Sequence, residues 1–141
     1  MEDVFVGSLM SSPVHTIGGD ATLREAAAVL LDHGIGSVVV VDDAGRLDGI
    51  LTATDFVTVV ADGTGDYDPA TSVATAMSTD VVTTTANDTV EAAADLMIES
   101  GHYHLPVVDA DGAVIGVITS HDLTAYVSTV RTPSPPSRDT A

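Results

Sequence analysis

A threonine and an aspartate recur with the same spacing at two places in the chain. Thr52 and Asp55 end the stretch GILTATD, and Thr119 and Asp122 end the stretch GVITSHD. Each pair matches a capping box, in which a hydroxyl and a carboxylate bond the free amides at the start of a helix. An ionised carboxylate also accepts hydrogen bonds from other donors, so helix capping and ligand binding are both open for these residues.

Two histidines flank a tyrosine in the stretch HYH, at His102 and His104. If this stretch is a strand, the two imidazoles share a face and could bind zinc or another divalent ion with a nearby carboxylate. Such histidines are also common polar side chains at the edge of a cleft, and we expect no required metal. No base lies recognisably beside a nucleophile, and cysteine is absent, so we predict no catalytic residues and no enzyme.

The charge of the chain is strongly one-sided. Among 141 residues, 21 acidic side chains face four basic ones, and the net charge is −17 without a single lysine. Proteins that bind nucleic acid need cations against the phosphates, so we expect no nucleic-acid partner. Molar salt would screen the self-repulsion, which favours a halophilic source. Apolar runs are far shorter than the roughly 20 residues of a membrane helix, and the start lacks basic residues, so we expect a cytoplasmic protein without membrane contact.

The chain is a tandem duplication. When it is shifted by 67 residues against itself, Val6 to Phe56 align with Val73 to Leu123 without a gap, and 16 of the 51 pairs are identical. Each copy reads as a short strand, a helix, two strands and a second helix. Thr22 with Glu25, and Asp88 with Glu91, predict capping boxes at the first helices, and Gly34 and Gly101 their ends.

The duplication also predicts the organisation of the chain. We expect a first repeat at 1–62, a linker at 63–72, a second repeat at 73–130 and a disordered tail at 131–141. A repeat of this size buries too little apolar surface to be stable alone, and its strands are apolar at consecutive positions. The two copies should therefore pack against each other with approximate two-fold symmetry and form two related sites in their joint cleft.

With these features, the chain resembles a tandem pair of CBS (cystathionine β-synthase) domains, a Bateman module. The resemblance rests on the duplication, on the glycine, threonine and aspartate of both repeated stretches, and on LPVVDADG at 105–112. It implies an α+β fold of two β-α-β-β-α repeats with pseudo-two-fold symmetry. It also implies a stand-alone regulatory module that binds AMP, ADP, ATP or S-adenosylmethionine without a required cofactor, forms a homodimer and acts on an unknown regulated protein.

The resemblance also implies which residues form the two sites. The aspartate would bind the ribose hydroxyls, threonine and the first helix amides would lie near the phosphate, and apolar side chains would enclose the adenine. Site A would contain Met10, His15, Ile35, Gly36, Ser37, Val117, Thr119, His121 and Asp122. Site B would contain Ile50, Thr52, Thr54, Asp55, Met77, Val82, His102, Tyr103 and His104.

This chain departs from that pattern because no arginine or lysine is expected near either site. Histidine and backbone groups would have to hold a phosphate, so AMP and a cationic adenosyl ligand are both open. Two alternatives also remain: a dimerisation scaffold that binds no ligand and uses the repeated residues only as helix caps, and a divalent-metal sensor through His102 and His104.

Overall fold

The computed structural model describes residues 3–12, 14–61 and 68–130, without the side chain of residue 130. The predicted tail at 131–141 and the first half of the predicted linker, 63–67, lie outside these residues. The elements follow in the order α1 (Val6–Leu9), β1 (Thr16–Gly18), α2 (Leu23–His33), β2 (Ser37–Val41), β3 (Leu47–Thr52), α3 (Ala53–Ala61), α4 (Val73–Ala76), α5 (Val90–Ser100), β4 (His104–Val108), β5 (Val114–Thr119) and α6 (Ser120–Val130).

The two halves contain the same hairpin. Strand β2 pairs antiparallel with β3, and β4 pairs antiparallel with β5, with a register shift between the last two residues of β2 and of β4. In the first turn the Asp42 carboxylate accepts bonds from the amides of Ala44 and Arg46, both at 2.9 Å. Asp109 makes the equivalent bonds in the second turn. The turns end at Gly45 and Gly112, whose positive φ angles of 80° and 83° favour glycine.

The first strand differs between the halves. In the first half β1 runs parallel to β2 over three residues. In the second half, among the described residues, its counterpart is a single parallel bridge between Thr84 and Val107. The hydroxyl of Thr84 donates a 2.6 Å bond to Asp88, which also accepts from the amide of Thr85. These side-chain bonds compete with an extended strand, so the predicted strand is reduced to one residue.

Three of the four predictions about the ends of α2 and α5 are confirmed. Thr22 and Glu25 form the predicted capping box of α2, and Gly34 and Gly101 end α2 and α5 in the left-handed conformation. The prediction that Asp88 and Glu91 cap α5 is wrong. The cap is Thr89, whose hydroxyl accepts from the amide of Ala92, because Asp88 is already bonded to Thr84 and Thr85.

Each half has its own core, and each core receives a short helix from the start of the other copy. The first cluster contains Leu23, Ala26, Leu30, Val38, Val40 and Leu51, together with Val73 of α4. The second contains Ala93, Met97, Leu105, Val107 and Ile118, together with Val6 of α1. Val6 and Val73 are equivalent residues of the duplication and are fully buried. The two halves are therefore interlocked through their first helices.

The opposite faces of the strands are buried between the halves, as the consecutive apolar residues predicted. Val39 and Pro106 are equivalent positions of β2 and β4, are buried, and belong to neither cluster. The hairpin turns also meet, because the Val114 amide donates to the Gly45 carbonyl at 3.0 Å and Arg46 donates to the Asp111 carbonyl at 3.2 Å. The molecule is thus an α+β pair of β-α-β-β-α repeats related by a pseudo-two-fold axis. Among the described residues, no helix is long and apolar enough to cross a membrane.

Candidate functional site

The repeated threonine and aspartate begin the last helix of each half. Asp55 accepts bonds from the amide of Thr52 at 2.8 Å and from its hydroxyl at 3.1 Å, and the Asp55 amide donates back to that hydroxyl. In the second half Asp122 accepts from the Thr119 amide at 2.9 Å, and its own amide donates to the Thr119 hydroxyl. The capping boxes predicted for α3 and α6 are therefore both confirmed.

Capping leaves acceptor capacity on both carboxylates. In each aspartate the cap uses Oδ2 alone, whereas an ionised carboxylate offers about four lone-pair positions. Among the described residues, Oδ1 of Asp55 receives one long bond of 3.4 Å, from the hydroxyl of Ser78. Both aspartates are half-buried. Helix capping and ligand binding can therefore coexist in the same side chain.

Asp122 opens onto a cavity of about 450 Å³, which we call cleft A. It lies between the start of α6 and the segment that leads into β2, so both halves contribute to it. Its lining is Ser11, Val14, His15, Gly34, Ile35, Gly36, Ser37, Val39, His104, Val117, Thr119, Ser120, His121 and Asp122. All members of predicted site A line this cleft except Met10.

Asp55 opens onto a second cavity of about 440 Å³, cleft B, formed by the equivalent elements of the other half. Its lining is Gly36, Ile50, Thr52, Ala53, Thr54, Asp55, Ser78, Asp80, Val81, Val82, Gly101, His102, Tyr103 and His104. All members of predicted site B line this cleft except Met77. Both volumes lie within the range of small-molecule sites in proteins.

Met10 and Met77 were predicted as site residues, but neither of them lines a cleft. A Cβ added to Gly116 would lie 2.6 Å from Sδ of Met10, and a Cβ added to Gly49 would lie 2.7 Å from Sδ of Met77. The methionines thus pack across the strand glycines and against the cores of the opposite halves. The repeated glycine is needed for this close approach.

The two clefts meet at Gly36 and His104, which line both. The imidazole of His104 lies against Gly36, where an added Cβ would be 3.3 Å from Cε1. Nδ1 of His104 is buried and has no hydrogen-bond partner among the described residues. Burial lowers the pKa of His104 below the usual histidine value, and the nearby charge of Asp122 partly opposes this shift.

The structure adds lining residues that the sequence did not predict. In cleft A these include Ser11, Val14 and Ser120, and in cleft B Ser78 and Asp80. Ser11 with Ser78, and Val14 with Val81, are identical pairs of the duplication, so the repeat itself contained a signal for them. Asp80 has no such signal, because its sequence equivalent is Pro13.

A metal site finds limited support in this geometry. His102 and His104 both line cleft B, but His102 precedes β4 instead of lying in it. Within residues 3–12, 14–61 and 68–130, no three histidine or carboxylate side chains are grouped so as to hold a metal ion. The structure thus offers the two histidines no third ligand in the part of the chain that it describes.

Comparison with known proteins identifies a common architecture. A family model described as the CBS domain matches residues 6–62 and 71–129. A CBS domain-containing protein, YhcV, from Bacillus subtilis is 33% identical over 119 residues, which cover 84% of this chain and 81% of that protein. The chain spans 62% to 75% of two further short relatives, and 23% to 25% of the homoserine O-acetyltransferases that it also matches.

Solved structures with ligands are also similar to this chain. The CBS domain pair of protein MJ0100, in complex with 5′-methylthioadenosine and S-adenosyl-L-methionine, has a TM-score of 0.83 and 26% identity, covering 92% of this chain and all of that one. The cytosolic domain of the Mg²⁺ channel MgtE in complex with ATP has a TM-score of 0.72 and 30% identity, covering 89% of this chain and 49% of that one.

Proposed function

The chain belongs to the CBS domain family and contains two such domains in tandem, and we propose that it binds an adenosyl ligand in the clefts between them as a regulatory module. CBS domain pairs are regulatory and not catalytic. The relatives named as enzymes share only about a quarter of their length with this chain. The proposal therefore concerns ligand binding and its consequence for the shape of the module.

One observation carries the proposal: both repeated aspartates face a cleft and keep Oδ1 for further hydrogen bonds. A carboxylate that only capped a helix would not need a cavity of about 450 Å³ in front of it. A vicinal diol places two hydroxyl donors side by side, and one carboxylate can accept from both. A ribose fits this requirement in each cleft.

The remaining lining supports the other parts of an adenosyl ligand. Ile35, Val39 and Val117 offer apolar surface for an adenine in cleft A, and Ile50, Val81 and Val82 offer it in cleft B. The first amides of α6 and α3, those of Ser120 and Ala53, donate to the carbonyls of Tyr103 and Gly36. The N-terminal ends of these helices still favour partial negative charge on the ligand through the helix dipole. Solved relatives with methylthioadenosine, S-adenosylmethionine and ATP support the same ligand class.

Binding would act through a shift in population. Each cleft takes its walls from both halves, so a ligand that bridges them favours the arrangement of repeats that it contacts best. The change would reach a partner through the outer helices. We propose a homodimer as the first such contact, because Leu31 and Ile98, equivalent residues of α2 and α5, are 82% and 75% exposed.

The dimer has a direct test. Light scattering of the double variant Leu31→Asp with Ile98→Asp should give the mass of a monomer, while the wild type gives that of a dimer. Asp43→Asn, in the exposed turn of the first hairpin, is the control and should remain dimeric. A wild-type monomer across the tested salt range would contradict this part of the proposal.

A second candidate is a scaffold in which the clefts bind nothing. The complete capping boxes favour it, since they give Thr52, Asp55, Thr119 and Asp122 a role without a ligand. Calorimetric titration with AMP, ADP, ATP, S-adenosylmethionine and Zn²⁺ separates the candidates. The adenosyl proposal predicts saturable binding of at least one adenosyl compound, the scaffold predicts none, and a metal sensor through His102 and His104 would respond to Zn²⁺ alone.

A further inference from the structure

The two clefts differ in the charge and polarity of their lining, although they hold the same aspartate. Among the described residues, cleft A is lined by one carboxylate, Asp122, and by three imidazoles, His15, His104 and His121. Cleft B is lined by two carboxylates, Asp55 and Asp80, and by two imidazoles, His102 and His104. Neither arginine of the described residues lines a cleft, so these groups set the local charge.

The difference is concentrated at the end of the clefts where the last helices begin. The first two residues of α6 are Ser120 and His121, whereas the first two of α3 are Ala53 and Thr54. All four line their clefts. The start of α6 thus offers cleft A a hydroxyl and an imidazole, whereas the start of α3 offers cleft B only the hydroxyl of Thr54. Both kinds of group can donate hydrogen bonds to an anion.

Cleft B has a second carboxylate in its lining, that of Asp80. Asp80 lies two residues beyond Ser78, whose hydroxyl donates to Asp55 and whose backbone pairs with Ile50 of β3. Two carboxylates in one cleft repel an anion and attract a cation, and their effect is stronger in a partly enclosed cleft than in bulk water. The equivalent position in the first half of the sequence is Pro13, which carries no charge.

A further pair of imidazoles lies at the rim of cleft A. His15 lines the cleft and stacks on His33 at the end of α2, with ring centroids 3.8 Å apart and planes inclined by 21°. The His15 imidazole therefore offers a ring N–H group that can donate a hydrogen bond to an anion in cleft A.

From these contacts we infer that the two clefts select different ligands: cleft A takes an adenosyl nucleotide with a phosphate group, and cleft B takes an adenosyl compound that is uncharged or cationic. This inference rests on the proposed function, because the shared aspartate would bind the ribose in both clefts. It adds that one module can respond to two adenosyl compounds at once.

Titration followed by amide NMR tests the inference in the wild-type protein. The amides of Ser120 and His121 report on cleft A, and those of Ala53 and Thr54 report on cleft B. AMP should move the cleft A signals at concentrations about tenfold lower than the cleft B signals, the order expected for one or two nearby charges. Adenosine, which has no phosphate, should lose this preference for cleft A.

Two exchange variants control for differences other than charge. Asp80→Ser should tighten AMP binding in cleft B by about fivefold, and the double variant Ser120→Ala with His121→Thr should weaken it in cleft A by a similar factor. Adenosine affinity should stay within about twofold in both variants. These residues are exposed, so the fold should be retained.

The outcomes distinguish this inference from the proposal beneath it. If AMP binds both clefts equally, or prefers cleft B, the assignment of ligands to clefts is wrong while the adenosyl proposal stands. If neither AMP, adenosine nor S-adenosylmethionine moves either set of signals, the proposed function fails and the inference fails with it. A tenfold preference of AMP for cleft A that Asp80→Ser reduces would support both.

Discussion

Cleft A and cleft B contain the same threonine and aspartate, but different residues at the start of the adjoining helix, Ser120 and His121 against Ala53 and Thr54. The shared residues bond the backbone, as the two capping boxes show. In the part of the chain that the structure describes, the side chains of the differing residues make no such hydrogen bond, and these residues line the cavities. Residues that are identical in the two halves are therefore those that the fold requires, and residues that differ are those that can select a ligand.

Among the substitutions that test this comparison, those at the glycines of the repeated stretches should have the largest effect on stability. Gly49→Ala and Gly116→Ala should each lower the free energy of unfolding by about 1–3 kcal/mol, because the new Cβ would overlap the methionine that crosses the strand. Denaturant unfolding measures the change. A loss below about 0.5 kcal/mol in both variants would show that the crossing segments pack loosely.

The two glycine sites should respond differently to relief of the overlap. At Gly116 the nearest atoms belong to the Met10 side chain, with the Ser11 carbonyl oxygen at 3.0 Å. At Gly49 the Ser78 carbonyl oxygen is as close as Met77, at 2.7 Å. A double-mutant cycle should therefore show more rescue of Gly116→Ala by Met10→Ala than of Gly49→Ala by Met77→Ala. Equal rescue would contradict this difference between the halves.

Removal of the aspartates should have a smaller effect on stability and a decisive one on binding. Asp55→Ala and Asp122→Ala each remove the carboxylate of a capping box and leave its threonine in place, which should cost about 1 kcal/mol. Each should abolish adenosyl binding in its own cleft and leave the other cleft competent. Thermal unfolding and NMR titration measure the two effects. Variants that unfold more easily but still bind in both clefts would leave capping as the only role of these residues.

The smallest expected effect is a dependence of stability on pH, which arises from the lowered pKa of His104. Because burial lowers the pKa of His104 in the folded state, the unfolded chain binds the proton first as the pH falls. Stability should therefore be full above the usual histidine pKa and decline as the pH falls through that value towards the folded pKa. His104→Gln should flatten this decline in chemical unfolding measured at several pH values. An unchanged slope would contradict the role of His104.

The duplication made most of the fold predictable. The shift of 67 residues placed Gly34 with Gly101 and Thr52 with Thr119, and each pair has the same backbone role in the structure. The same register contained the pairing of Thr22 with Thr89, which identifies the cap of α5 better than the local pattern around Asp88. Local capping patterns can be satisfied by more than one residue, whereas the register selects one.

The lining of the clefts was predicted from the resemblance to CBS domain pairs, which implied the residues of both sites. Met10 and Met77 were misplaced because the sequence does not indicate which face of a crossing segment points to the core. The sequence also did not show that Val6 packs in the core of the second half and Val73 in that of the first, since equivalent apolar residues can pack in either core. Asp80 depends on the course of an irregular segment, which tertiary contacts decide.

The central claim is that Asp55 and Asp122 hold the ribose of an adenosyl ligand. Calorimetric titration with AMP and with its 2′,3′-dideoxy analogue tests it most directly, because the analogue differs only in the diol. Loss of two hydrogen bonds to a carboxylate should weaken binding by about 100-fold or more. Equal affinity for the two compounds would contradict the claim.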